Sequence, residues 1–470
     1  MNRVLGAILI SVGGLVARAG DGLPGNDHES ARDRAGLSRA VLTGEIGKRI
    51  AGAEGGATIE IGPGVYREHL RIGKRITLVG LPGAILDGAG SGDIVEIAAE
   101  GVTIRGFTLR NTGIDLEQEN AAIRVLAGRA TIEDNVLEDV LFGIDLRGAP
   151  DCIIRGNRIG GKALDIARRG DGLRLWRSDR GIIEYNTLHD GRDAILWYSS
   201  GITVRGNRSE NCRYGLHLMF SDEVVIEDNT LTGNSVGIYL MYSAGVEIAR
   251  NRLVRNRGPS GYGIGLKETD RFRVQENLIT GNRVGVYLDG SPFTAKQPGE
   301  FARNIFAFND IGVTFLPSAR GNEFSENNFI DNITQVAVSG RGTLTGNRFW
   351  KGEAGNFWSD YTGYDRDGDG IGNFVHESRT LFESLTDRNP AMRLFLFSPT
   401  QQAIEFVGRA LPAVRPESKF EDEVPRMRPV EIAFAREEAA GGALGLGGAA
   451  ALLLTAGAGV LVAARRDGGT

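Results

Sequence analysis

The chain has 470 residues, of which 68 are glycine and 2 are cysteine, and its formal net charge is −5. The glycine share is roughly twice the usual one, but 41% of the residues are apolar, which excludes a disordered low-complexity chain. The glycines follow no Gly-X-Y period, which excludes collagen, and the weakly acidic balance gives nucleic acid no general attraction. Two cysteines cannot cross-link so long a chain, so the fold must be held by packing.

The N-terminus has the features of a secretory signal. Met1-Asn2-Arg3 is basic, the run from Val4 to Val16 is apolar, and Ala17-Arg18-Ala19 fits a small-residue cleavage site. We therefore expect residues 1–19 to form a signal peptide and residues 20–44 to lead into the folded body. A buried first helix is the alternative.

A recurring asparagine predicts a repeating fold in the middle of the chain. Most gaps between the asparagines are 20 to 23 residues, and the positions are Asn135, Asn157, Asn186, Asn207, Asn229, Asn251, Asn277, Asn304, Asn327 and Asn347. A glycine often follows eight residues later, at Gly143, Gly215, Gly237, Gly285 and Gly312, and Ala194 takes that place after Asn186. Short alternating stretches between these marks are typical of half-buried strands, and no helical period interrupts them. The pattern predicts an all-β fold, a right-handed parallel β-helix over residues 45–350 with one coil per repeat in a single-stranded solenoid.

Counting from the glycine separates each strand into two faces, because alternate side chains point to opposite sides. The first and third residues after the glycine are apolar, as Leu216 and Leu218 are, and should form the interior. The second and fourth residues should form an outer strip of the pairs Asp145/Arg147, Arg174/Trp176, Leu196/Tyr198, His217/Met219, Tyr239/Met241, Gly265/Lys267, Tyr287/Asp289 and Thr314/Leu316. Stacked coils lie about 4.8 Å apart, so Met219 and Met241 should be neighbours on the solvent side.

The outer strip contains a candidate copper site. Thioether and imidazole together form a ligand set that suits Cu(I), so His217, Met219 and Met241 are candidate ligands for a transient copper(I) ion. Only five methionines occur in the chain, which makes two adjacent ones on an outer strand unexpected. The alternative is an apolar docking patch of methionines and aromatics, because methionine suits adaptable interfaces.

The strands near the N-terminal end of the repeat resemble those of a known family. The segments 64–70, 76–80 and 85–88 resemble the pectin-lyase-like family, and the resemblance extends over about residues 45 to 350. It is specific for fold and weak for activity. A polysaccharide lyase or C5-epimerase would use a basic residue with carboxylates on the outer strip, where Arg174, Lys267 and Asp289 are available. No Asn-Thr-Asp or Gly-His-Gly hydrolase motif is found.

The repeat ends after Asn347, and an aspartate-rich loop follows in a predicted C-terminal cap, residues 351–397. Asp365, Asp367 and Asp369 alternate along the chain beside a glycine turn, as in the first half of a calcium loop. This predicts a structural calcium site, although the twelfth position is His376 instead of glutamate. A metal-free turn is the alternative.

The C-terminal part is predicted to be a tail and a membrane segment. Prolines from Pro399 to Pro429 mark residues 398–439 as an extended tail. Residues 440–464 carry no charge and precede Arg465-Arg466, which predicts one transmembrane helix and a cytoplasmic end at residues 465–470. A processed sorting segment is the alternative.

The two cysteines are predicted to be separate buried thiols. Cys152 and Cys212 fall two coils apart, an axial gap of about 10 Å. That gap exceeds the Cα separation of a disulfide, which rarely passes about 7 Å.

Four segments resemble the NosD family of periplasmic maturation proteins of nitrous oxide reductase. They are residues 213–219, 237–243, 287–292 and the stretch from Trp358 through 365–373, and the resemblance extends from the signal peptide to Pro429. It implies a non-catalytic periplasmic scaffold that assists assembly of the reductase's copper centre. The implied partners are an ABC transporter with its permease and ATPase, a copper chaperone and the reductase, and not nucleic acid. With residues 440–464 as an anchor, the location would be the periplasmic face of the inner membrane.

Overall fold

The computed structural model describes residues 41–433, except residues 295–296, 341–343 and 415. The chain forms a right-handed parallel β-helix of about 12 coils, in which three parallel sheets run the length of the solenoid. The predicted fold class is confirmed. The predicted signal peptide and the predicted transmembrane segment 440–464 lie outside the described residues. Among the helices within residues 41–433, none has the length and apolar character needed to cross a membrane.

Each coil contributes one short strand to each of the three sheets. The first sheet contains Val41–Leu42, Gly64–Tyr66, Ala84–Asp87, Thr108–Arg110, Val136–Val140, Arg158–Gly161, Thr187–His189, Arg208–Glu210, Thr230–Thr232, Arg252–Val254, Leu278–Thr280, Ile305–Ala307, Asn328–Ile330 and Phe357–Trp358. The second sheet contains Leu70–Ile72, Val95–Ile97, Ala121–Val125, Phe142–Arg147, Leu173–Trp176, Asp193–Trp197, Tyr214–Met219, Val236–Met241, Tyr262–Lys267, Val284–Asp289, Ile311–Phe315 and Thr334–Val338. The third sheet contains Thr58–Ile61, Thr77–Gly80, Thr103–Arg105, Thr131–Glu133, Ile153–Arg155, Ile182–Glu184, Thr203–Arg205, Val225–Glu227, Glu247–Ala249, Arg273–Gln275, Gly299–Ala302 and Asn322–Ser325.

A short helix, α1 (Glu45–Gly52), covers the N-terminal end of the solenoid. The Glu68 carboxylate accepts hydrogen bonds from the backbone N–H groups of Glu45, Ile46 and Gly47 at 2.7, 3.1 and 2.9 Å. These are donors that the first turn of a helix leaves unpaired, and the negative charge also suits the positive end of the helix dipole. Ile46 and Ile50 bury the inner face of α1 on the first coils.

The interior is a continuous apolar column, as the alternation predicts. Leu216 and Leu218 are buried, and Ile238 and Leu240 occupy the same two positions one coil later. Aromatic rings replace the aliphatic side chains near the C-terminal end, where Phe329 stacks on Trp358 with ring centroids 4.1 Å apart.

A ladder of buried asparagines joins the coils along the solenoid. In each step the side-chain oxygen accepts from the backbone N–H and the amide of the asparagine one coil earlier, as Asn251 Oδ1 does from Asn229 at 3.0 and 3.0 Å. The ladder contains Asn135, Asn157, Asn186, Asn207, Asn229, Asn251, Asn277, Asn304, Asn327 and Asn356. Each amide thereby pairs backbone groups that burial would otherwise leave unpaired.

The last position of the predicted asparagine period is wrong. Asn347 belongs to a separate contact, in which it accepts from the Asn322 amide at 2.9 Å. The main ladder continues to Asn356, because an antiparallel hairpin of Trp350–Lys351 and Ala354–Gly355 is inserted before the chain rejoins the first sheet.

The described part of the C-terminal region contains two α-helices, and one of them lies where an extended tail is predicted. Helix α2 (Leu381–Arg388) lies in the cap, and helix α3 (Pro399–Ala410) occupies the start of the predicted tail. The prediction is wrong there because Pro399 stands in the first helical turn, where proline is tolerated. Ser398 caps α3 by accepting a hydrogen bond from the Gln401 N–H.

The described part of the tail after α3, up to residue 433, packs on the solenoid. The strand Glu421–Asp422 pairs with His376–Glu377, and the buried Asp422 carboxylate ends the asparagine ladder by accepting from the Asn356 N–H at 2.8 Å. Further along, Ile432 is buried on the first sheet. The Asn328 side chain also exchanges two hydrogen bonds with the Val430 backbone, at 2.7 and 2.9 Å.

Candidate functional site

The outer face of the second sheet brings the two predicted methionines together. Met219 pairs with Met241 in the strand register, and Trp197 pairs with Met219 from the coil before. The three side chains form one row along the solenoid axis, the tryptophan–methionine row, and all three are partly exposed. The predicted adjacency of Met219 and Met241 is confirmed, and their ligation of copper stays a prediction.

His217 lies in the same strand as Met219 but is buried. It is 6% exposed, because the rings of Tyr214 and Tyr239 lie 4.9 and 6.1 Å from its imidazole ring. The prediction that His217 faces solvent is therefore wrong. Its Nδ1 lies 3.3 Å from the Asp193 carboxylate, whereas its Nε2 is buried and has no hydrogen-bond partner.

Asp193 holds the imidazole in place. Burial acts to raise the pKa of Asp193, but hydrogen bonds from His217 and Arg213 outweigh it and leave that pKa below its ordinary value. In the neutral imidazole, the ionised carboxylate favours the tautomer in which Nδ1 carries the proton, and the lone pair is then on Nε2. Metal-binding histidines typically have such a carboxylate behind the ring.

The predicted register is wrong by one residue in the strand Asp193–Trp197. Leu196 is fully buried and pairs with the interior residue Leu218, so the outward positions belong to Ile195 and Trp197. Asp193 pairs with Tyr214 and Ile195 pairs with His217. One residue of this strand thus faces two of the next, and this irregularity displaces Ala194 from the position that glycine occupies in other coils.

An exposed aromatic stack runs beside the methionine pair. The rings of Tyr198, Phe220 and Tyr242 lie 5.0 and 4.9 Å apart and are nearly parallel. All three residues have left-handed backbone conformations, with φ of 51°, 51° and 56°. Glu268 adopts the same conformation one coil later, so the turn belongs to the fold and only the choice of aromatic residues is particular to these coils.

The aromatic stack was not predicted, although the sequence contains a signal for it. Each ring directly follows a residue of the tryptophan–methionine row, which gives the dipeptides 197–198, 219–220 and 241–242 at a spacing of 22 residues. Trp176 extends this surface, with its ring centroid 4.6 Å from that of Trp197.

The three residues considered for polysaccharide chemistry do not form one site. Lys267 and Asp289 are paired in the register, but Arg174 is four coils away, which is about 19 Å at the strand spacing. Arg174 is buried and binds Asp145 and Glu119 at 2.7 and 2.6 Å. A hydrogen bond with Tyr242 raises the pKa of Lys267.

The aspartate loop of the cap is compact. One carboxylate oxygen from each of Asp365, Asp367 and Asp369 lies within 4.8 Å of the others. Asp365 also accepts hydrogen bonds from the N–H groups of Gly370 and Gly368, which lower its pKa. The loop is therefore shaped by its own backbone contacts, and a bound calcium ion stays a prediction.

Cys152 and Cys212 are both free and buried. Burial raises the pKa of each thiol to about 11. Both thiols are consequently protonated at neutral pH, which makes them poor nucleophiles and poor metal ligands.

Comparison with known proteins places this site within a matched region. Residues 157–363 match the family described as "Periplasmic copper-binding protein (NosD)". A relative from Pseudomonas aeruginosa, named "Probable ABC transporter binding protein NosD", is 30% identical over 77% of this chain and 86% of its own length. The chain belongs to the NosD family. A relative of the same name from Stutzerimonas stutzeri is 28% identical over 75% of this chain and 83% of its own length.

The NosD family assignment supports a periplasmic, copper-related role, and the matched region contains the whole tryptophan–methionine row.

Among solved structures, the A-module of mannuronan C-5 epimerase AlgE4 from Azotobacter vinelandii is 14% identical with a TM-score of 0.41. The alignment covers 63% of this chain and 91% of that chain. A likeness of this degree says nothing about activity or substrate.

Proposed function

We propose that this NosD-family chain is a periplasmic scaffold that carries copper(I) as cargo for the copper centre of nitrous oxide reductase. It has no catalytic chemistry of its own and works with an ABC transporter, a copper chaperone and the reductase. The observation that carries the proposal is the Met219–Met241 pair, in register on the outer face of the second sheet. The family match and the names of the relatives support the same role.

The donor set fits copper(I) better than other metals. Thioethers are soft ligands that favour Cu(I), and imidazole also binds it well. Met219 and Met241 offer two thioethers on adjacent strands, and His217 offers a buried Nε2 that has no partner. The ion would be a soft cation, because no carboxylate belongs to this donor set. It could be passed onward, because both methionines are partly exposed.

The exposed aromatic stack supports a docking role for the same face. Tyr198 and Phe220 lie beside the tryptophan–methionine row and are 43% and 38% exposed. Aromatic side chains are enriched in the centres of protein interfaces. We expect the protein that donates or receives copper to cover this stack. The docking and copper interpretations of the outer strip are then two parts of one site.

The alternative of a lyase or epimerase has less support from the geometry. Arg174 is buried between two carboxylates, and the raised pKa of Lys267 leaves less of its amine in the unprotonated form that a base needs at neutral pH. Burial also raises the pKa of Tyr287 to about 12, so this hydroxyl holds its proton. Proton abstraction from a sugar requires a base with a pKa near the working pH.

The proposal is tested in the cell and with the purified chain. Deletion of the gene should yield reductase that lacks its copper complement, and the wild-type gene should restore it. Met219→Leu with Met241→Leu should fail to restore copper and should abolish Cu(I) binding in a chelator competition. The control, Met392→Leu with Met427→Leu, changes the other two non-initiator methionines and should behave as wild type. Fully metallated reductase in the deletion strain would contradict the maturation role.

Two further expectations belong to this proposal. Residues 440–464 would anchor the chain to the inner membrane, and a variant without them should move from the membrane fraction to the soluble periplasmic fraction. The loop of Asp365, Asp367 and Asp369 would bind a structural calcium ion, which the close approach of its three carboxylates favours.

A further inference from the structure

The residue that precedes the methionine pair along the solenoid axis is a tryptophan with an unusual environment. Trp197 pairs with Met219 in the register, and its ring is nearly parallel to that of Tyr198 at a centroid distance of 6.1 Å. Its indole Nε1 is buried and has no hydrogen-bond partner. A buried indole N–H usually finds an acceptor, so the position of this ring is not explained by hydrogen bonding.

The two register neighbours of the methionine pair differ in their effect on a bound cation. On one side of the methionine pair, Lys267 is the register neighbour of Met241 and carries a positive charge. On the other side, Trp197 is the register neighbour of Met219 and carries an uncharged indole ring. A cation is repelled by the ammonium group and attracted by the negative ring face, for which tryptophan is the best aromatic residue.

We propose that Trp197 is a further residue of the copper(I) site and covers the metal held by Met219, Met241 and His217 through a cation–π contact. This inference rests on the proposed function, because it needs copper at the methionine pair. Directly opposed side chains on adjacent strands have Cβ atoms about 5 Å apart, so an indole can reach over the thioether of its register neighbour. The ring would keep water from the open side of the ion, which favours the monovalent state.

Trp176 provides a matched control within the same surface. It lies one coil beyond Trp197, so it is two strand spacings from Met219. It is also the more exposed of the two rings. A substitution there removes the indole that packs on Trp197 at a centroid distance of 4.6 Å but keeps the register neighbour of the methionine pair, so it separates the effect of the aromatic patch from that of Trp197 itself.

The experiment is an anaerobic titration of the full chain with Cu(I), followed by tryptophan fluorescence and by competition with a Cu(I) chelator. In the wild type, one equivalent should quench part of the fluorescence. Trp197→Leu should lose that quenching and bind Cu(I) roughly tenfold more weakly, the effect of one partly desolvated cation–π contact. Trp176→Leu should retain the quenching and the wild-type affinity.

The outcomes separate this inference from the proposed function. If the wild-type chain binds no Cu(I), the copper site and the role of Trp197 both fail. If Met219→Leu with Met241→Leu abolishes binding but Trp197→Leu keeps the wild-type affinity and quenching, only the role of Trp197 is refuted. Circular dichroism checks that each variant folds. Trp197→Phe preserves an aromatic ring in the same place and should bind with intermediate affinity and without the metal-dependent quenching, so unchanged behaviour of this variant also overturns the inference.

Discussion

Substitution of Asp422 should loosen the C-terminal end of the solenoid. Its carboxylate accepts hydrogen bonds from the Asn356 N–H at 2.8 Å, the Trp358 Nε1–H at 2.9 Å and the Val424 N–H at 3.1 Å. Asp422→Asn has the same shape but replaces one oxygen with an amide donor. Whichever way this amide is turned, at least one N–H of the protein faces another N–H.

The size of the effect follows from those contacts. A buried donor left without an acceptor costs about 1 to 3 kcal/mol, so Asp422→Asn should destabilise the last coil by about 2 kcal/mol. Burial raises the pKa of Asp422, so removal of its charge offsets part of the loss. Asp422→Ala removes the acceptor from these three donors and from the Asn356 side-chain amide, and should cost more, about 4 kcal/mol.

The assay must be local, because a solenoid opens from its ends without unfolding as a whole. Hydrogen exchange of the amides at residues 356–358 measures the opening of the last coil directly. A loss of about 2 kcal/mol should speed their exchange about 30-fold. Glu423→Gln is the matched control, because it removes the same charge from an exposed neighbour.

If Asp422→Asn and Glu423→Gln exchange at the same rate at residues 356–358, Asp422 does not end the ladder. The tail would then be held only by its other contacts, such as those between Asn328 and Val430.

The remaining predictions concern the ladder, the thiols, the calcium loop and the charge beside the methionines. Asn229→Leu leaves the Asn207 backbone N–H without its side-chain acceptor and removes the donor to the Val204 carbonyl, and should lower the free energy of unfolding by about 3 kcal/mol; a loss under about 0.5 kcal/mol in urea titration would contradict this. Cys152 and Cys212, whose pKa values are raised to about 11, should react slowly with a thiol reagent at pH 8 and rapidly in urea, and fast native labelling would show that they are accessible. Calcium should raise the melting temperature of the wild type but not of Asp365→Asn, and an unchanged wild type would leave a metal-free turn. Lys267→Gln should tighten Cu(I) binding about threefold by removal of a nearby positive charge, and an unchanged affinity would show that the charge is screened.

The fold was predictable because its determinants recur in every coil. The asparagine of one coil contacts the next, so its period is visible in the sequence from Asn135 to Asn327. The prediction failed where a local event interrupts the period, as the hairpin before Asn356 does. The shift at Ala194 is also a local event, because one residue of its strand faces two residues of the next strand at this point. The repeat spacing does not reveal such an irregularity.

The site was predictable only in part because the surroundings of each side chain come from other coils. The pairing of Met219 with Met241 follows from spacing alone. The burial of His217 depends on Asp193 and on the rings of Tyr214 and Tyr239, which lie in its own and the adjacent strands. Aromatic size and hydrogen-bond geometry decide whether such a residue is covered, and spacing does not encode them.

The stacking of coils also fixes distances outside the site. The methionine pair needs two consecutive coils, so an extra coil between Met219 and Met241 would separate the thioethers, whereas an extra coil elsewhere would leave them together. From the strand of Met241, four more coils follow in the second sheet, an axial length of about 19 Å at the strand spacing. The number of those coils therefore sets how far the methionine pair stands from the C-terminal cap. Insertion or removal of one whole repeat there would change that distance by about 4.8 Å without altering the pairing of Met219 with Met241.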